Sequence, residues 1–211
     1  MSGRKVSEKT IRRLSHYAMC LRRARALGTS VITSSYLSGR CGISAAAVRK
    51  DLAGYGDFGK QGSGYQVDQL LANIEEILGT CDPPPVMIVG TGNIGRALLE
   101  SGLDGIGGYR YSAAFDIDPE LVGRTFAGVE VRSMEDLPKY IEETGDAIAI
   151  LAVRSGCGQE AVDRLIEAGC RYILSFTLEP IETPEDVVLH FVEISTELDI
   201  LTHCMKRGGG K

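Results

Sequence analysis

The fold is decided by the ten residues Val86-Met87-Ile88-Val89-Gly90-Thr91-Gly92-Asn93-Ile94-Gly95. Four consecutive apolar residues predict a buried strand, and Arg96-Ala97-Leu98-Leu99 continues after the last glycine with helical spacing. Gly90 would make the tight turn, Gly92 would let the backbone approach a ligand, and Gly95 would let the helix close on the strand. The amino end of that helix supplies N–H donors and a positive dipole, which favour a bound phosphate group.

A second strand with an acidic residue at its end indicates which ligand the turn binds. Tyr111 to Phe115 predicts that strand, and Asp116 follows it, 21 residues beyond Gly95. A carboxylate at this position accepts hydrogen bonds from the adenosine ribose hydroxyls and repels a 2′-phosphate. The predicted cofactor is therefore NAD, as NAD+ and NADH, rather than NADP.

The residues that follow alternate between strand and helix patterns. They predict a helix at 134–143, a strand at 147–153, a helix at 159–168 and a strand at 172–176. This alternation is typical of an α/β domain with a Rossmann-like parallel sheet, whose ligands bind beyond the carboxyl ends of the strands. A Rossmann-like domain with an empty site is the structural alternative. The predicted cofactor-binding residues are Gly90, Thr91, Gly92, Asn93, Ile94, Gly95, Asp116, Ile117, Ala152, Val153, Arg154 and Phe176.

A further strand at 187–192 precedes a predicted carboxyl-terminal helix at about 193–206. The helix carries apolar residues at Ile194, Leu198, Leu201 and Met205. An apolar helix face of this kind is buried either against a partner subunit or against its own domain, and the sequence leaves both readings open.

The first 65 residues predict a module that reads double-stranded DNA. One helix begins after Ser7 and ends near Gly28, and the segment at 34–40 leads through a turn at Cys41-Gly42 to a helix capped by Ser44. In a helix-turn-helix, the first turns of that last helix meet base edges in the major groove. Small residues at its start followed by Arg49 and Lys50 fit this role, and an ordinary alanine-rich helix with a solvated basic face is the alternative.

The next segment, Tyr55 to Tyr65, alternates aromatic residues with glycines around a Lys60-Gln61 tip. This pattern predicts a β-hairpin wing, because glycine adopts the backbone conformations that tight hairpins need. A phosphate-binding loop is the competing reading, but the segment lacks the ending Gly-Lys-Ser/Thr and no apolar strand leads into it. The predicted DNA-binding residues are Arg12, Arg13, Ser44, Ala45, Ala46, Arg49, Lys50, Lys60, Gln61, Gly62 and Ser63.

Charge divides the chain at about the same place. Residues 1–65 hold twelve Lys and Arg against three Asp and Glu, while residues 66–211 hold eleven against twenty-five. A basic module favours a polyanionic partner and an acidic one avoids it. We therefore expect a winged helix-turn-helix domain at 1–80 and a Rossmann-like domain at 84–211, separated at the Pro83-Pro84-Pro85 spacer. Two differently charged faces of one domain are the alternative.

Composition excludes several other classes. No apolar run reaches membrane-spanning length and the amino terminus is polar, so we expect a soluble, cytoplasmic protein with no membrane partner. The six cysteines form no C-x-x-C pair and have no zinc-ligand spacing to histidine, which favours scattered thiols and no metal. After the dinucleotide fold, little chain remains to hold a substrate. The sequence therefore predicts binding without catalysis, and no catalytic residue.

In this order, the two modules resemble the Rex family of redox-sensing bacterial transcriptional repressors, essentially end to end. The resemblance is carried by Val48-Arg49-Lys50-Asp51-Leu52, by Gly59-Lys60-Gln61-Gly62-Ser63-Gly64-Tyr65, by Val89 to Gly95, and by Phe115-Asp116-Ile117-Asp118-Pro119. It implies a homodimer that exchanges its carboxyl-terminal helix between subunits. It also implies binding to a palindromic operator when NAD+ dominates and release when NADH rises.

Two other functions fit parts of the pattern. The chain could be a small NAD-dependent oxidoreductase with a basic amino-terminal arm, which would turn over NADH without residues 1–80. It could also be a DNA-binding regulator whose Rossmann-like fold holds another nucleotide, such as a coenzyme A derivative. Nucleotide titrations separate the last reading from an NAD-binding repressor.

Overall fold

The computed structural model describes residues 7–55, 64–103 and 108–208. They form two compact units, and the chain passes from the first to the second between Pro83 and Pro84. Each unit has its own apolar core. None of the helices within the described residues is both long enough and apolar enough to span a membrane.

In its described residues, the first unit is mostly helical. Hydroxyl side chains cap three of the helices at Ser7, Thr33 and Ser44, each accepting a hydrogen bond from a backbone N–H three residues later. The elements are α1 (Glu8–Ala26), β1 (Val31–Ile32), α2 (Ser34–Cys41), α3 (Ala45–Ala53), β2 (Tyr65–Gln66) and α4 (Val67–Leu78).

The core of this unit lies between α1, α3 and α4. Tyr17 and Leu21 of α1 are fully buried against Val48 of α3 and Ile74 of α4. Gly42, with φ +64°, ends α2 and turns the chain into α3, so the predicted helix-turn-helix is present. The short strands β1 and β2 pair in antiparallel fashion. The predicted wing tip at 56–63 lies outside the described residues.

The second unit is a seven-stranded sheet with helices. Its strands are β3 (Val86–Val89), β4 (Tyr111–Asp116), β5 (Thr125–Phe126), β6 (Val129–Ser133), β7 (Ile148–Leu151), β8 (Tyr172–Ser175) and β9 (Val188–Phe191). Its helices are α5 (Asn93–Ser101), α6 (Leu137–Thr144), which follows a 3-10 turn at Met134–Asp136, α7 (Gly158–Glu167) and α8 (Ile194–Gly208).

The strands lie side by side in the order β5-β6-β4-β3-β7-β8-β9, and every pair except β5–β6 is parallel. Numbered along the chain, the six parallel strands have the spatial order 3-2-1-4-5-6, which is the arrangement of dinucleotide-binding sheets. Helix α5 packs on one face through Leu99, and α6 and α7 pack on the other through Leu137 and Leu165. This confirms the predicted α/β class.

The hairpin of β5 and β6 was absent from the predicted pattern. Strand β5 has only two residues, and the turn uses Ala127, with φ +48°, and Gly128. So short an edge strand leaves no periodic signal. The predicted helix at 134–143 begins as a 3-10 turn, and Pro138 then occupies the first turn of α6, where proline is favoured.

Candidate dinucleotide crevice and DNA-binding surface

A cavity of about 250 Å³ opens beyond the carboxyl ends of β3, β4 and β7, where the strand order reverses direction. We call it the crevice. It brings together seven of the predicted cofactor-binding residues: Gly90, Gly92, Asp116, Ile117, Ala152, Val153 and Arg154. The other residues that line it are Val89, Phe115, Asp118, Leu121, Met134, Cys157, Glu160, Ala161 and Arg164.

Two glycines of the turn are required by the protein itself. Gly90 has φ +92°, and a Cβ there would lie 2.8 Å from the carbonyl carbon of Ala152. A Cβ on Gly95 would overlap the carbonyl oxygen of Gly90. A Cβ on Gly92, by contrast, would meet no protein atom within 4 Å. The backbone at Gly92 is therefore open to an incoming ligand.

Helix α5 begins at this open backbone. Its first residues, Asn93 and Ile94, are exposed, and no side chain among the described residues caps its amino end at Gly92. The first N–H groups of the helix are thus available to a phosphate group, as the sequence predicts. Asn93 and Ile94 lie at the rim and do not line the crevice itself.

Asp116 is held in place by its neighbours. The N–H of Thr91 donates to Oδ2 of Asp116 at 2.6 Å, and the Thr91 hydroxyl donates to the same oxygen at 2.8 Å. The N–H of Asp118 donates to Oδ1 at 3.0 Å. Thr91 is fully buried, so it positions the carboxylate from behind and does not face the crevice. Two carboxylate oxygens accept about four hydrogen bonds, so acceptor capacity remains for ribose hydroxyls.

The opposite wall of the crevice comes from the end of β7 and from α7. Ala152, Val153 and Arg154 follow β7, and the loop after them is fixed by Glu179. The Glu179 carboxylate accepts the N–H groups of Gly156 and Gly158, each at 2.5 Å, at the start of α7. The geometry of this wall therefore depends on Glu179.

Phe176 is another predicted cofactor-binding residue that does not line the crevice. It is half-buried and packs on the apolar cluster beneath α5. Its neighbours Ser175 and Thr177 are buried and bond to each other through their hydroxyls at 2.8 Å. At the end of β8, these three side chains pack or bond within the protein.

Four lining residues on α7 or directly before it were not predicted from the sequence. Cys157, Glu160, Ala161 and Arg164 have the spacing of one helix face, which was the signal available in the sequence. Arg164 forms ion pairs with Glu160 at 3.3 Å and with Glu135 at 3.5 Å. This cation is therefore engaged by two carboxylates.

Helix α3 of the first unit has a buried side and a basic side. Val48 and Leu52 are buried, whereas Arg49 and Lys50 are exposed. The Ser44 hydroxyl accepts the N–H of Ala47 at 3.2 Å and caps the helix. Ala45 and Ala46 form its first turn. The Arg49 guanidinium donates to the Ser34 hydroxyl at 3.1 Å, which orients the arginine toward α2.

One carboxylate attaches α3 to α1. Asp51 accepts two hydrogen bonds from the Arg13 guanidinium, at 2.6 and 2.7 Å, and one from the Tyr17 hydroxyl at 2.9 Å. The pair with Asp51 raises the pKa of Arg13, and burial together with the hydrogen bond to Asp51 raises the pKa of Tyr17. Arg13 thus holds α3 in place, whereas Arg12 is exposed and pairs with Glu8 at 2.7 Å.

The remaining predicted DNA-binding residues, Lys60, Gln61, Gly62 and Ser63, lie outside the described residues. Among the described residues, no group of three or more His, Cys, Asp or Glu side chains is arranged to hold a metal ion.

Two protein-family models match the chain. Residues 5–53 match the putative DNA-binding protein N-terminus, and residues 82–179 match the CoA binding domain. The match to the first model covers the helix-turn-helix, and the match to the second covers the glycine turn and the crevice.

The chain is similar over nearly its whole length to curated proteins named redox-sensing transcriptional repressor Rex. It is 38% identical over 197 residues to the Rex of Roseiflexus sp. (strain RS-1), covering 93% of this chain and 90% of that one. It is 35% identical over 209 residues to the Rex of Streptomyces coelicolor, covering 99% and 81%. It is 37% identical over 199 residues to Rex 1 of Thermotoga maritima, covering 94% and 95%.

The chain is also similar to solved structures of a Rex-family repressor. The chain superposes on RSP, a Rex-family repressor, in complex with beta-NAD+ and operator DNA, with a TM-score of 0.84, 32% identity, and coverage of 98% of this chain and 95% of that one. It superposes on RSP in complex with beta-NADH with a TM-score of 0.83, 30% identity, and coverage of 98% and 97%.

Proposed function

The chain belongs to the Rex family of redox-sensing transcriptional repressors, and we propose that it represses transcription by binding operator DNA in a manner set by the ratio of NADH to NAD+. The observation that carries this proposal is the presence of two complementary sites on one chain. One is the crevice, with its glycine turn and Asp116, and the other is the exposed basic side of α3. Like its relatives, which are named as transcriptional repressors, it is a repressor and not an enzyme.

NAD is the dinucleotide that the crevice favours. Asp116 holds a carboxylate at the end of β4, where we propose that the adenosine ribose binds, and both of its oxygens accept hydrogen bonds that fix its direction. Of the two arginines that line the crevice, Arg164 is paired with Glu135 and Glu160, whereas Arg154 follows β7 and is exposed. The 2′-phosphate of NADPH therefore meets the fixed negative charge of Asp116, which disfavours its binding.

The Asp116→Asn variant tests this selectivity. Loss of the charge removes the repulsion of a 2′-phosphate and weakens the hydrogen bonds to the ribose, each worth about 1.5–3 kcal/mol when a charged group takes part. We expect NADH affinity to fall by about tenfold or more and the preference for NADH over NADPH to narrow, as measured by fluorescence titration. Asp146→Asn, which changes an exposed carboxylate just before β7, is the matched control and should leave both affinities unchanged.

A homodimer built through α8 completes the proposal. Five large apolar side chains of this helix are exposed: Ile194 at 65%, Leu198 at 57%, Ile200 at 52%, Leu201 at 59% and Met205 at 77%. All of them except Ile200 have the spacing of one helix face. The same unit has a shallow apolar groove over β7, β8 and β9, lined in part by Ile148, Tyr172, Leu174 and Val188. Two exposed apolar surfaces on one chain favour a second copy, in which the helix of each subunit covers the other.

Dimerisation also explains how a dinucleotide could change DNA binding. Two copies of α3 bind successive major-groove half-sites only at one separation. We propose that NADH favours a dimer with a different separation, while NAD+ tolerates the separation that fits DNA. Only a difference in affinity between the two forms can shift their populations, and moving from about 1:99 to 99:1 requires about a ten-thousand-fold preference.

The deciding experiment measures operator binding with each dinucleotide. A palindromic operator is selected from random DNA with the purified protein, and its binding is followed by gel shift at fixed salt with NAD+, NADH or neither. We expect complexes with NAD+ and release with NADH. Equal effects of the two dinucleotides would contradict the sensing function.

A coenzyme A derivative is the second candidate ligand, because residues 82–179 match a family model described as a CoA binding domain. Titration of the same protein with acetyl-coenzyme A distinguishes the two. If acetyl-coenzyme A binds tightly and NADH does not bind, a coenzyme A derivative replaces NAD as the proposed ligand. The proposed DNA-binding role is then unaffected.

A further inference from the structure

Two free thiols are in contact inside the first unit. Cys20 lies on the inner face of α1 and is 7% exposed, and Cys41 is the half-buried last residue of α2. Their Sγ atoms are 3.5 Å apart. All six cysteines belong to the described part of the chain, and no other two of them are in such contact there.

We propose that Cys20 and Cys41 are an oxidative modification site at which a hydroperoxide forms an intramolecular disulfide that weakens DNA binding. In the first step, the Cys41 sulfur attacks a peroxide oxygen, and the O–O bond breaks to give a sulfenic acid and water or an alcohol. In the second step, the Cys20 sulfur displaces the sulfenic oxygen as water and forms the S–S bond. Two thiols lose two electrons, and one hydroperoxide gains them.

The surroundings of the pair set the order and speed of these steps. Cys41 is the more exposed of the two, so the oxidant reaches it first, and Cys20 is placed to resolve the sulfenic acid. Burial, and to a lesser degree the hydrogen bond with Cys20, raises the pKa of Cys41 to about 12. Since the thiolate is the nucleophile, the reaction is slow at neutral pH and needs an excess of oxidant.

The position of Cys41 explains why a disulfide would act on DNA binding. A disulfide bond is about 2.05 Å long, so the two sulfurs must approach by roughly 1.5 Å. Cys41 is followed directly by Gly42 and the turn into α3, while Asp51 fixes the later part of α3 to α1. Closure therefore shifts the turn and the start of α3, and a hydrogen bond to a base edge does not survive a displacement of about 1 Å.

The covalent step stands independently, whereas its effect on DNA binding rests on the proposed function. The full-length protein is reduced with dithiothreitol, treated with excess hydrogen peroxide, and reduced again. Each sample is digested without reductant for mass spectrometry, and operator binding is measured by fluorescence anisotropy at fixed salt and saturating NAD+. We expect a peptide pair linked through Cys20 and Cys41, and a loss of operator affinity of at least about tenfold that dithiothreitol reverses, as for the loss of one base contact.

Three variants locate the effect. Cys41→Ala and Cys20→Ala should each bind the operator when reduced and should keep that affinity after peroxide, with thermal unfolding used to verify that each is folded. Cys81→Ala removes an exposed thiol away from the pair and should behave like the wild type.

Other outcomes overturn the inference or part of it. If peroxide oxidises other cysteines and does not link Cys20 to Cys41, the proposed modification site is wrong. A linked peptide with unchanged operator affinity would remove the regulation, as would a peroxide effect that persists in Cys41→Ala. Reduced protein that fails to bind any operator would contradict the proposed function and the regulation with it, while a linked peptide would still establish the site.

Discussion

Single residues of the glycine turn serve different purposes. Gly95 is needed by the fold, because a Cβ there would overlap the carbonyl oxygen of Gly90. Gly92 has open space around it, so its lack of a side chain benefits only a ligand. Glycine is therefore required by packing at Gly95 and by ligand binding at Gly92, three residues away.

Alanine at each position separates the two purposes. Gly95→Ala should lower the free energy of unfolding by about 2–3 kcal/mol or more, because the new methyl group overlaps backbone atoms, which cannot move aside as a flexible side chain can. Gly92→Ala should leave stability nearly unchanged and abolish NADH binding, because the new methyl group occupies the approach of the pyrophosphate. Thermal unfolding and NADH titration of the two variants decide the matter. Equal loss of stability in both would contradict the open space at Gly92.

At the scale of elements, α3 depends on contacts that it makes with α1. Asp51 faces Arg13 and Tyr17, and the side chains of the ion pair are only 23% and 9% exposed. Breaking a largely buried ion pair leaves one charge without a partner, which costs more than the loss of an exposed pair. The orientation of Arg49 and Lys50 on α3 therefore depends on the contacts of Asp51 with α1.

Two variants of α3 should differ in their effects on stability and on sequence preference. Asp51→Ala should lower the free energy of unfolding by about 3 kcal/mol and weaken binding to all DNA sequences, because the helix loses its attachment. Lys50→Ala should keep the stability within about 0.5 kcal/mol and relax sequence preference. Urea unfolding and operator binding to matched and altered sites measure both. Arg12→Ala, at an exposed ion pair, is the control for stability.

The same contacts make the first unit sensitive to alkaline pH. The pKa values of Tyr17 and Cys41 are both raised, principally by burial, and that of Cys41 reaches about 12. In the unfolded chain these groups ionise near their ordinary values of about 10 and about 8.5. Above about pH 9 the unfolded state therefore binds fewer protons than the folded state, and the free energy of unfolding falls as the pH rises.

Thermal unfolding between pH 8 and pH 11 tests this dependence. The midpoint should fall steadily over that range, and Tyr17→Phe should fall less steeply than the wild type, because one of the two groups no longer titrates. A wild-type midpoint that rises with pH, or a slope unaffected by Tyr17→Phe, would show that the raised pKa values do not govern the response.

The sequence predicted elements with strong local signals and missed those that depend on distant partners. The four apolar residues before Gly90 and the helical spacing after Gly95 were sufficient to predict β3 and α5. The role of Arg13 was hidden, because its partner Asp51 lies 38 residues away and an exposed basic residue gives the same local pattern. Arg164 was missed for a related reason, since only the folded sheet brings α7 beside Asp116.

For the whole molecule, the proposal requires that two copies act together. One copy of α3 reads one half-site, and the coupling of two copies multiplies their affinities through effective concentration. The apolar face of α8 supplies the surface through which that coupling is proposed to arise. DNA affinity should therefore depend on residues that never touch DNA.

Leu198→Arg tests this dependence. A charged side chain in the apolar interface should convert the protein to a monomer, as measured by analytical ultracentrifugation. Operator affinity should fall by about a hundredfold or more, within the range by which linked sites exceed single ones. Asp199→Asn, one residue further along the exposed helix, should leave both unchanged. A monomer that still binds the full operator tightly would contradict the dimer proposal.

The order of elements along the chain has a consequence for synthesis on the ribosome. Helices α1, α2 and α3 all lie within residues 8–53 and can form early, whereas β3 gains a partner on its second side only when β7 emerges some sixty residues later. Helix α8 follows every other described element. A nascent or prematurely terminated polypeptide would therefore carry a folded DNA-binding unit but lack the helix proposed to form the dimer. It would bind a palindromic operator more weakly than the full-length protein does.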